Sequence, residues 1–261
     1  MRPAIDTSKP HSARMYDYYL GGKDNFAADR DTAQRAMRSW PAVRTAVREN
    51  RAFLGRAVRY LVREAGIRQF LDVGTGLPAA NNVHEVAQAL APECRVAYAD
   101  NDPIVLAHAR ALLTSGSAGL TSYIDADLRN TGKILDTAAL TLDFSRPVAV
   151  VLMAILHLIG DEDDPYGIVA TLMDAVPPGS YLILSHIASD IETEALGEAR
   201  DRVSKYMPVK QTYRSHAEVM RFFDGLDMVE PGLVRVQQWR PSSEVEAKSP
   251  AALWGGVGRK R

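Results

Sequence analysis

The chain has 261 residues, of which 46% are hydrophobic and 24% are charged, as in ordinary globular proteins. These values exclude a wholly disordered or fibrous chain, and the length favours one large α/β domain with an extension over two separate cores. The single cysteine, Cys94, excludes an internal disulfide and a thiolate metal cage, and it fits a reducing compartment.

Charge is distributed unevenly, although the formal net charge is only −1. Residues 1–68 hold 14 Lys/Arg and 7 Asp/Glu, whereas residues 69–261 hold 17 and 25. The basic residues are spread over predicted helices without interleaved aromatic residues, so a solvated helix surface is favoured over a nucleic-acid interface. No segment approaches the ~20 apolar residues of a membrane span. We therefore expect a cytoplasmic protein that binds neither membrane nor nucleic acid.

The first predicted elements are helices. One is expected over residues 25–39, capped by Asp24 or Asn25. A longer helix follows and ends at Gly66, with apolar residues at spacings of three, four and seven, so its arginines should face the solvent. We assign residues 1–66 to an N-terminal helical extension that packs on the core.

Residues 67–261 form the core in this interpretation, with strands and helices in alternation. Buried strands are predicted at residues 70–73, 95–99, 120–124, 147–154 and 181–185, with a turn at 115–119. Strands that alternate with helices pair in parallel through right-handed crossovers, which indicates an α/β protein with a mostly parallel sheet. Two late strand candidates, at 233–239 and 253–258, suggest a hairpin at the sheet edge.

Acidic residues stand at the ends of three successive predicted strands. Asp72 precedes Gly74 and Gly76, Asp100 follows 24 residues after Gly76, and Asp127 lies just past the third strand. Ligands of a doubly wound sheet bind outside the carboxyl ends of its strands, so these loops should meet at one crevice. Asp100 can accept hydrogen bonds from ribose hydroxyls and Asp127 from an adenine amino group.

Other residues near these strand ends could also contact a ligand. Leu128 can offer its backbone N–H to adenine and cover the face of the ring. Met153 could touch the ligand, although a core methionine is the more common role. His157 and His186 follow the fourth and fifth strands, where either could act as a base, but a structural role is favoured for each.

The segment YDYYLGGKDNF combines Tyr16, Lys23 and Asn25 with two adjacent glycines. This composition suits a hinged lid over a ligand. A helix-capping turn with a packing tyrosine explains it equally well, and the sequence leaves both interpretations open.

An acidic run at residues 161–164 provides the main candidate ligands for a hard cation. The run stands at the predicted start of a helix, where negative charge is stabilised by the helix dipole and by solvent. We therefore predict no metal site.

Taken together, the motifs resemble those of a known family. DVGTG, DND at residues 100–102 and DADL at 125–128 are similar to the cofactor motifs of class I S-adenosylmethionine-dependent methyltransferases. More narrowly, the chain resembles the actinobacterial S-adenosyl methyltransferase family, long catalogued as a domain of unknown function. The segments that carry this resemblance are ARMYDYYLGGKDNFAADR, DVGTGLP, YADNDPIVLAHARALL, VLMAILHLI, PGSYLILSH and GVGRK.

The resemblance implies a Rossmann-like, seven-stranded sheet whose last strand is antiparallel, with N-terminal helices folded over the crevice. It also implies S-adenosylmethionine as cofactor, S-adenosylhomocysteine as product and an unidentified acceptor, expected to be a small molecule. No catalytic residue and no oligomeric state follow from it. The residues expected to bind the cofactor are Tyr16, Lys23, Asn25, Asp72, Gly74, Thr75, Gly76, Asp100, Asn101, Asp102, Asp127, Leu128 and Met153.

Two other functions stay open. An NAD(P)-dependent oxidoreductase fits the glycine pattern that ends at Ala79 and the acid at Asp100. Against it, Pro78 removes one N–H at the expected helix start, and Asp72 places negative charge near the phosphates. A non-catalytic sensor of S-adenosylmethionine or S-adenosylhomocysteine would act on a partner through the basic N-terminal helices.

Overall fold

A central β-sheet with helices on both faces forms the framework of the protein. The computed structural model describes residues 6–112 and 119–261. The helices are α1 (Ser12–Leu20), α2 (Ala27–Ser39), α3 (Val43–Arg63), α4 (Val83–Leu90), α5 (Pro103–Leu112), α6 (Thr131–Ala138), α7 (Pro165–Asp174), α8 (Thr193–Ser204), α9 (His216–Met220) and α10 (Glu244–Ala247). The strands are β1 (Gln69–Val73), β2 (Arg95–Asp100), β3 (Leu120–Asp125), β4 (Ala149–Met153), β5 (Tyr181–Ile187), β6 (Leu226–Met228), β7 (Val234–Arg235) and β8 (Leu253–Lys260).

The sheet has the order β3-β2-β1-β4-β5-β8-β6, and β7 also pairs with β8. Strands β1 to β5 are parallel, whereas β8 is antiparallel to both β5 and β6. The predicted class I fold, with its mostly parallel sheet and antiparallel last strand, is confirmed. The two-residue β7 makes the strand count eight rather than seven. The strand order reverses between β1 and β4, and ligands bind at such a switch point.

Neighbouring residues of each strand point to opposite faces of the sheet and enter separate cores. Phe70 and Val96 pack in a cluster with α3 and α4, whereas Leu71 and Ala97 pack in a second cluster with α6 and α7. This alternation follows from the two-residue period of a strand. Because both faces are buried, the strand ends are held firmly in place.

The expectation that the α3 arginines face the solvent is wrong for Arg51 and Arg56. The Arg56 guanidinium is buried and donates to the carbonyl oxygens of Trp239 and Val236, at 2.8 and 2.7 Å, and it also pairs with Glu246. It satisfies carbonyl groups of an irregular segment that lies against the helix. Among the described helices, none combines the length and apolarity required to span a membrane.

The start of α2 also differs from expectation. The helix begins at Ala27, and its first turn is closed by Asp29 rather than by Asp24 or Asn25. The Asp29 carboxylate accepts the N–H of Phe26 and the N–H of His11, both at 2.8 Å. It therefore ties α2 to the residue that precedes α1, a helix that the periodicity did not predict.

The C-terminal part departs most from the predicted hairpin. Only residues 234–235 of the predicted strand pair with β8, because a 3₁₀ turn at residues 236–238 follows them at once. That turn carries Trp239 into contact with Phe53, with ring centroids 5.5 Å apart. The sheet edge is β6 instead, which was not predicted, nor was α6. The predicted turn at residues 115–119 lies, apart from Gly119, outside the described residues.

Candidate active site

A cavity lies at the carboxyl ends of the parallel strands, and α1, α2 and α3 form its opposite wall. We call these three helices the cover. The cavity brings together ten of the sequence-predicted residues: Tyr16, Asp72, Gly74, Thr75, Gly76, Asp100, Asn101, Asp127, Leu128 and Met153. Lys23, Asn25 and Asp102 are not part of its wall.

The loop after β1 presents bare backbone to the cavity. Gly74 and Gly76 have φ angles of +75° and +67°, in the left-handed region that favours glycine. The Gly74 N–H donates to the carbonyl oxygen of Ala99 at 2.8 Å, which fixes the loop against β2. A Cβ atom on Gly74 would lie only 2.5 Å from Cγ1 of Ile155. Glycine is therefore required at this position by both conformation and space.

Asp100, at the end of β2, braces that loop. Its Oδ2 accepts the N–H of Gly76 at 2.8 Å, and its Oδ1 accepts the N–H of Asp102 at 2.9 Å. Burial raises the pKa of Asp100, although these two N–H groups oppose the shift. Each carboxylate oxygen has two lone pairs, so both can still accept a ligand hydroxyl.

Asp72 faces a cation that the sequence analysis missed. Burial raises the pKa of Asp72 to about 7, while the nearby charge of Arg51 opposes the shift and that of Asp100 adds to it. Arg51 lines the cavity, and its buried Nε lacks a hydrogen-bond partner. Its spacing in the sequence could have indicated this position. Arg51 lies four residues after Val47 and three before Leu54, on the stripe of α3 that faces inward.

Asp127 lies two residues past β3, in a network of donors. Asn101 donates to its Oδ2 at 2.9 Å, and the backbone N–H of Arg129 donates to its Oδ1 at 2.9 Å. Burial would raise the pKa of Asp127, but the donors Arg129 and Asn101 outweigh it and the pKa is lowered. The site therefore holds an ionised carboxylate at this end of the cavity.

The predicted lid segment forms a turn beside the cavity. Lys23 is exposed. The side chain of Asn25 is buried and donates to Oδ2 of Asp17 at 2.8 Å and to the carbonyl of Gly22 at 3.0 Å. Tyr16 does line the cavity, and its hydroxyl accepts from Asn50 at 3.1 Å. Of the three residues, only Tyr16 is in position to touch a ligand in this conformation.

Asp102 serves the start of α5. Its Oδ1 accepts the N–H of Ile104 at 2.9 Å, and its Oδ2 lies 3.0 Å from Nδ1 of His11. The carboxylate therefore caps a helix and contacts the segment that leads into the cover.

The acidic run at residues 161–164 is used for ion pairs and a cap. Asp161 pairs with Arg214 at 2.6 Å, Asp163 with Arg129 at 2.7 Å, and Asp164 accepts the N–H of Gly167 at 3.1 Å. Among residues 6–112 and 119–261, no group of three or more His, Cys, Asp or Glu could hold a metal ion.

The expected position of Pro78 at a helix start is wrong. Helix α4 begins only at Val83, five residues later, and Asn82 caps it. The glycine loop is consequently not the N-terminus of a helix. A dinucleotide pyrophosphate uses such an N-terminus for its N–H groups and dipole, so this loop suits a ligand without phosphate.

Comparison with known proteins identifies the family. The S-adenosyl methyltransferase family matches residues 1–261. A DUF574 family protein from Streptomyces avermitilis is 44% identical, with a TM-score of 0.95 over 99% of this chain and 100% of that chain. A protein from Thermobifida fusca is 39% identical, with a TM-score of 0.91 over 99% and 98%. Magnesium protoporphyrin IX methyltransferase from Synechocystis PCC 6803 shares the fold at 14% identity, with a TM-score of 0.55 over 95% and 93%. No curated protein matches significantly.

The cavity fits the cofactor of this family. S-adenosylmethionine has no phosphate and carries a positive sulfur, and it would meet acidic side chains and bare backbone here. The family match favours methyl transfer over both the oxidoreductase and the sensor, and it confirms the predicted family, activity and cofactor. The chain belongs to the S-adenosyl methyltransferase family and is an S-adenosylmethionine-dependent methyltransferase that forms S-adenosylhomocysteine.

Proposed function

We propose that the protein methylates a small molecule and holds the adenosyl part of its cofactor on Asp72, Asp100 and Asp127. The observation that carries the proposal is that these acids, from three adjacent strands, line one cavity. The cover supports a small acceptor, because its helices form one wall of the cavity. Ligand pockets of this concave kind are typical of small-molecule sites.

Each acid has a distinct role in this proposal. Asp100 accepts hydrogen bonds from the ribose hydroxyls, next to Asn101. Asp127 accepts from the adenine amino group, and Leu128 covers the ring. Asp72 pairs with the amino group of the methionine portion, and the missed Arg51 binds its carboxylate, since a buried guanidinium nitrogen without a partner favours an anion.

The chain contributes mainly position to the reaction. The bound cofactor supplies a methyl group that is already activated by positive sulfur. Gly74, Thr75 and Met153 line the cavity, and they would orient this group towards the acceptor. Orientation alone can provide effective molarities of ~10⁵ to 10⁸ M.

The cover encloses the site and does not form a separate enzyme part. Nε1 of Trp40, just past α2, donates to Glu192 at 2.6 Å, which joins the cover to the segment after β5. This contact supports a role in enclosing the acceptor. Residence in the cytoplasm stays a prediction from the sequence.

Two measurements test the proposed function. Calorimetry should detect binding of S-adenosylhomocysteine and no comparable binding of NADH. Labelled S-adenosylmethionine, supplied with a metabolite extract, should pass its methyl group to compounds that separate from macromolecules. Tighter binding of NADH, or label recovered only in protein or nucleic acid, would refute the proposal.

The pKa of Asp72, at about 7, predicts that cofactor affinity depends on pH. The carboxyl must ionise to pair with an ammonium group, so the affinity for S-adenosylmethionine should rise between pH 6 and 8, by at most about tenfold per unit below the pKa. Asp72→Asn should abolish this rise. Calorimetry at several pH values measures the affinity. Asp125 is exposed, so Asp125→Asn is the matched control.

The same group makes folding stability depend on pH. The folded pKa lies above the ordinary value of 3.8, so the folded protein holds a proton that the unfolded chain loses. Relative to Asp72→Asn, the wild type should lose stability as the pH rises from about 4 to about 7, and no more above that. Urea unfolding at each pH checks this. A wild type that gains stability over this range would contradict a raised pKa.

A further inference from the structure

Beyond the three acids, the cavity continues into a part without charged side chains. We call it the acceptor chamber, and we define it by Met153, His157, Ile187, Val203, Tyr213 and Leu253. They lie in β4, β5, α8 or β8, or in the segments after β4 and α8, and these strands are on the side of β1 away from β2 and β3. Acidic side chains are therefore concentrated at one end of the cavity, and Arg129 of that end donates to the carbonyl of Leu158 at 3.5 Å.

The cover adds mostly apolar side chains to the wall, and its charged exceptions are Asp17 and Arg51. Trp40 and Tyr19 are almost fully buried and face the cavity, as do small apolar residues of α2 and α3. Asp17, the acidic residue that α1 adds to the wall, already accepts from the side chain of Asn25 and the N–H of Asp24. An ammonium or carboxylate placed in the acceptor chamber would lose its hydration without gaining a counter-ion. Planar aromatic walls favour a flat, uncharged ligand.

His157 provides a polar atom in this apolar surrounding. The residue is only 7% exposed, and its buried Nδ1 has no hydrogen-bond partner within the described part of the chain. Burial, with the nearby His186 and Arg214, lowers the pKa of His157 to about 3, so the ring is neutral at physiological pH. A buried ring nitrogen without a partner is costly, and a ligand that donates a hydrogen bond would satisfy it.

The neighbouring His186 has a different position. Its Nδ1 lies 2.8 Å from the carbonyl oxygen of Ile187, and its Nε2 lies 3.1 Å from Nη1 of Arg214. It does not line the cavity. Of the two histidines that the sequence suggested as bases, only His157 can meet an acceptor.

We propose that the methyl acceptor is an uncharged aromatic molecule whose phenolic hydroxyl donates a hydrogen bond to Nδ1 of His157. The inference rests on the proposed function and names the acceptor class and a catalytic residue for it. A phenol meets both requirements of the acceptor chamber, since it is flat and neutral and carries one donor.

In this placement, methyl transfer is a displacement at the methyl carbon. The phenol oxygen forms the new bond to the methyl carbon, and the electron pair of the broken carbon–sulfur bond stays on sulfur. The hydroxyl proton passes to Nδ1 of His157, which is far more basic than a protonated aryl ether. The imidazolium then loses this proton to solvent as the product leaves.

Binding measurements on the protein saturated with S-adenosylhomocysteine test the acceptor class. We expect 2-naphthol to bind at least about tenfold more tightly than 2-naphthoate or 2-naphthylmethylammonium, because a buried unpaired charge is costly. We also expect 2-naphthol to bind about 2- to 12-fold more tightly than naphthalene, the range of one neutral hydrogen bond. Equal or tighter binding of either charged probe would overturn the proposal.

Variants of His157 test the residue itself. His157→Phe should remove the preference for 2-naphthol over naphthalene, whereas His157→Asn, which keeps an oxygen near the position of Nδ1, should retain part of it. Both should bind S-adenosylhomocysteine as the wild type does. With 2-naphthol as acceptor, His157→Phe should lower methyl transfer about 2- to 12-fold through the lost hydrogen bond, because a base with a pKa of about 3 adds little further at neutral pH. A phenylalanine variant that keeps the preference would refute the role of His157.

The readouts separate this inference from the function on which it rests. Loss of S-adenosylhomocysteine binding in the wild type would reject the proposed function. Normal binding of S-adenosylhomocysteine, with no discrimination among the naphthalene probes, would reject only the acceptor class and the role of His157.

Discussion

Replacing Asp100 by alanine is expected to weaken binding of S-adenosylhomocysteine by about 1.5 to 3 kcal/mol, the range for a hydrogen bond to a charged group. This corresponds to an increase in Kd of about 10- to 150-fold. The carboxylate is buried at the centre of the cavity wall and also holds the N–H of Gly76, so its loss removes a ligand contact and loosens the glycine loop. Calorimetry measures the change directly.

A matched control separates binding from general charge effects. Asp125 lies opposite Asp100 in the β2–β3 register, but it is exposed and does not line the cavity. Asp125→Ala should leave Kd unchanged. An unchanged Kd for Asp100→Ala, in a variant that melts like the wild type, would reject the assignment of the ribose to Asp100.

Gly74→Val is expected to destabilise the fold and to abolish cofactor binding. A valine at φ +75° should cost about 1–3 kcal/mol in backbone strain. The close approach to Ile155 should add about 1–3 kcal/mol from overpacking. Chemical unfolding gives the free energy, and calorimetry gives the loss of S-adenosylhomocysteine binding.

A control variant tests glycine replacement as such, and a double variant separates backbone strain from overpacking. Gly197 lies inside α8 in open space, so Gly197→Ala should be neutral or stabilise by up to about 1 kcal/mol. Adding Ile155→Ala to Gly74→Val should relieve part of the steric cost and none of the backbone strain, because the Cβ of residue 155 still lies 2.9 Å from a Cβ at position 74. A Gly74→Val protein as stable as the wild type would contradict the described loop conformation.

Much of the fold could be predicted because its signals are local. The apolar run at residues 70–73 predicted β1 to within one residue, and the acids at strand ends followed from the parallel order. Once strands β1 to β3 are adjacent, Asp72, Asp100 and Asp127 must share an edge. These elements needed no knowledge of distant contacts.

The remaining features depend on long-range packing that a sequence pattern does not carry. The predicted strand at 233–239 stops after two residues because Trp239 packs against α3, far away in the chain. Arg56 is buried because distant carbonyl groups accept from it. His157 and His186 both follow a predicted strand, but His186 contacts the Ile187 carbonyl and Arg214, whereas His157 lines the cavity.

The apolar cluster on one face of the sheet unites residues from the cover with residues from the strands, such as Ala46 and Ile183. Removing the first 66 residues would expose this surface to water, so the two parts cannot be exchanged between proteins as independent modules. A change of acceptor preference would then come from substitutions in the walls of the proposed chamber. Engineering of this enzyme should follow the same route and alter wall residues one at a time, with the helices left in place.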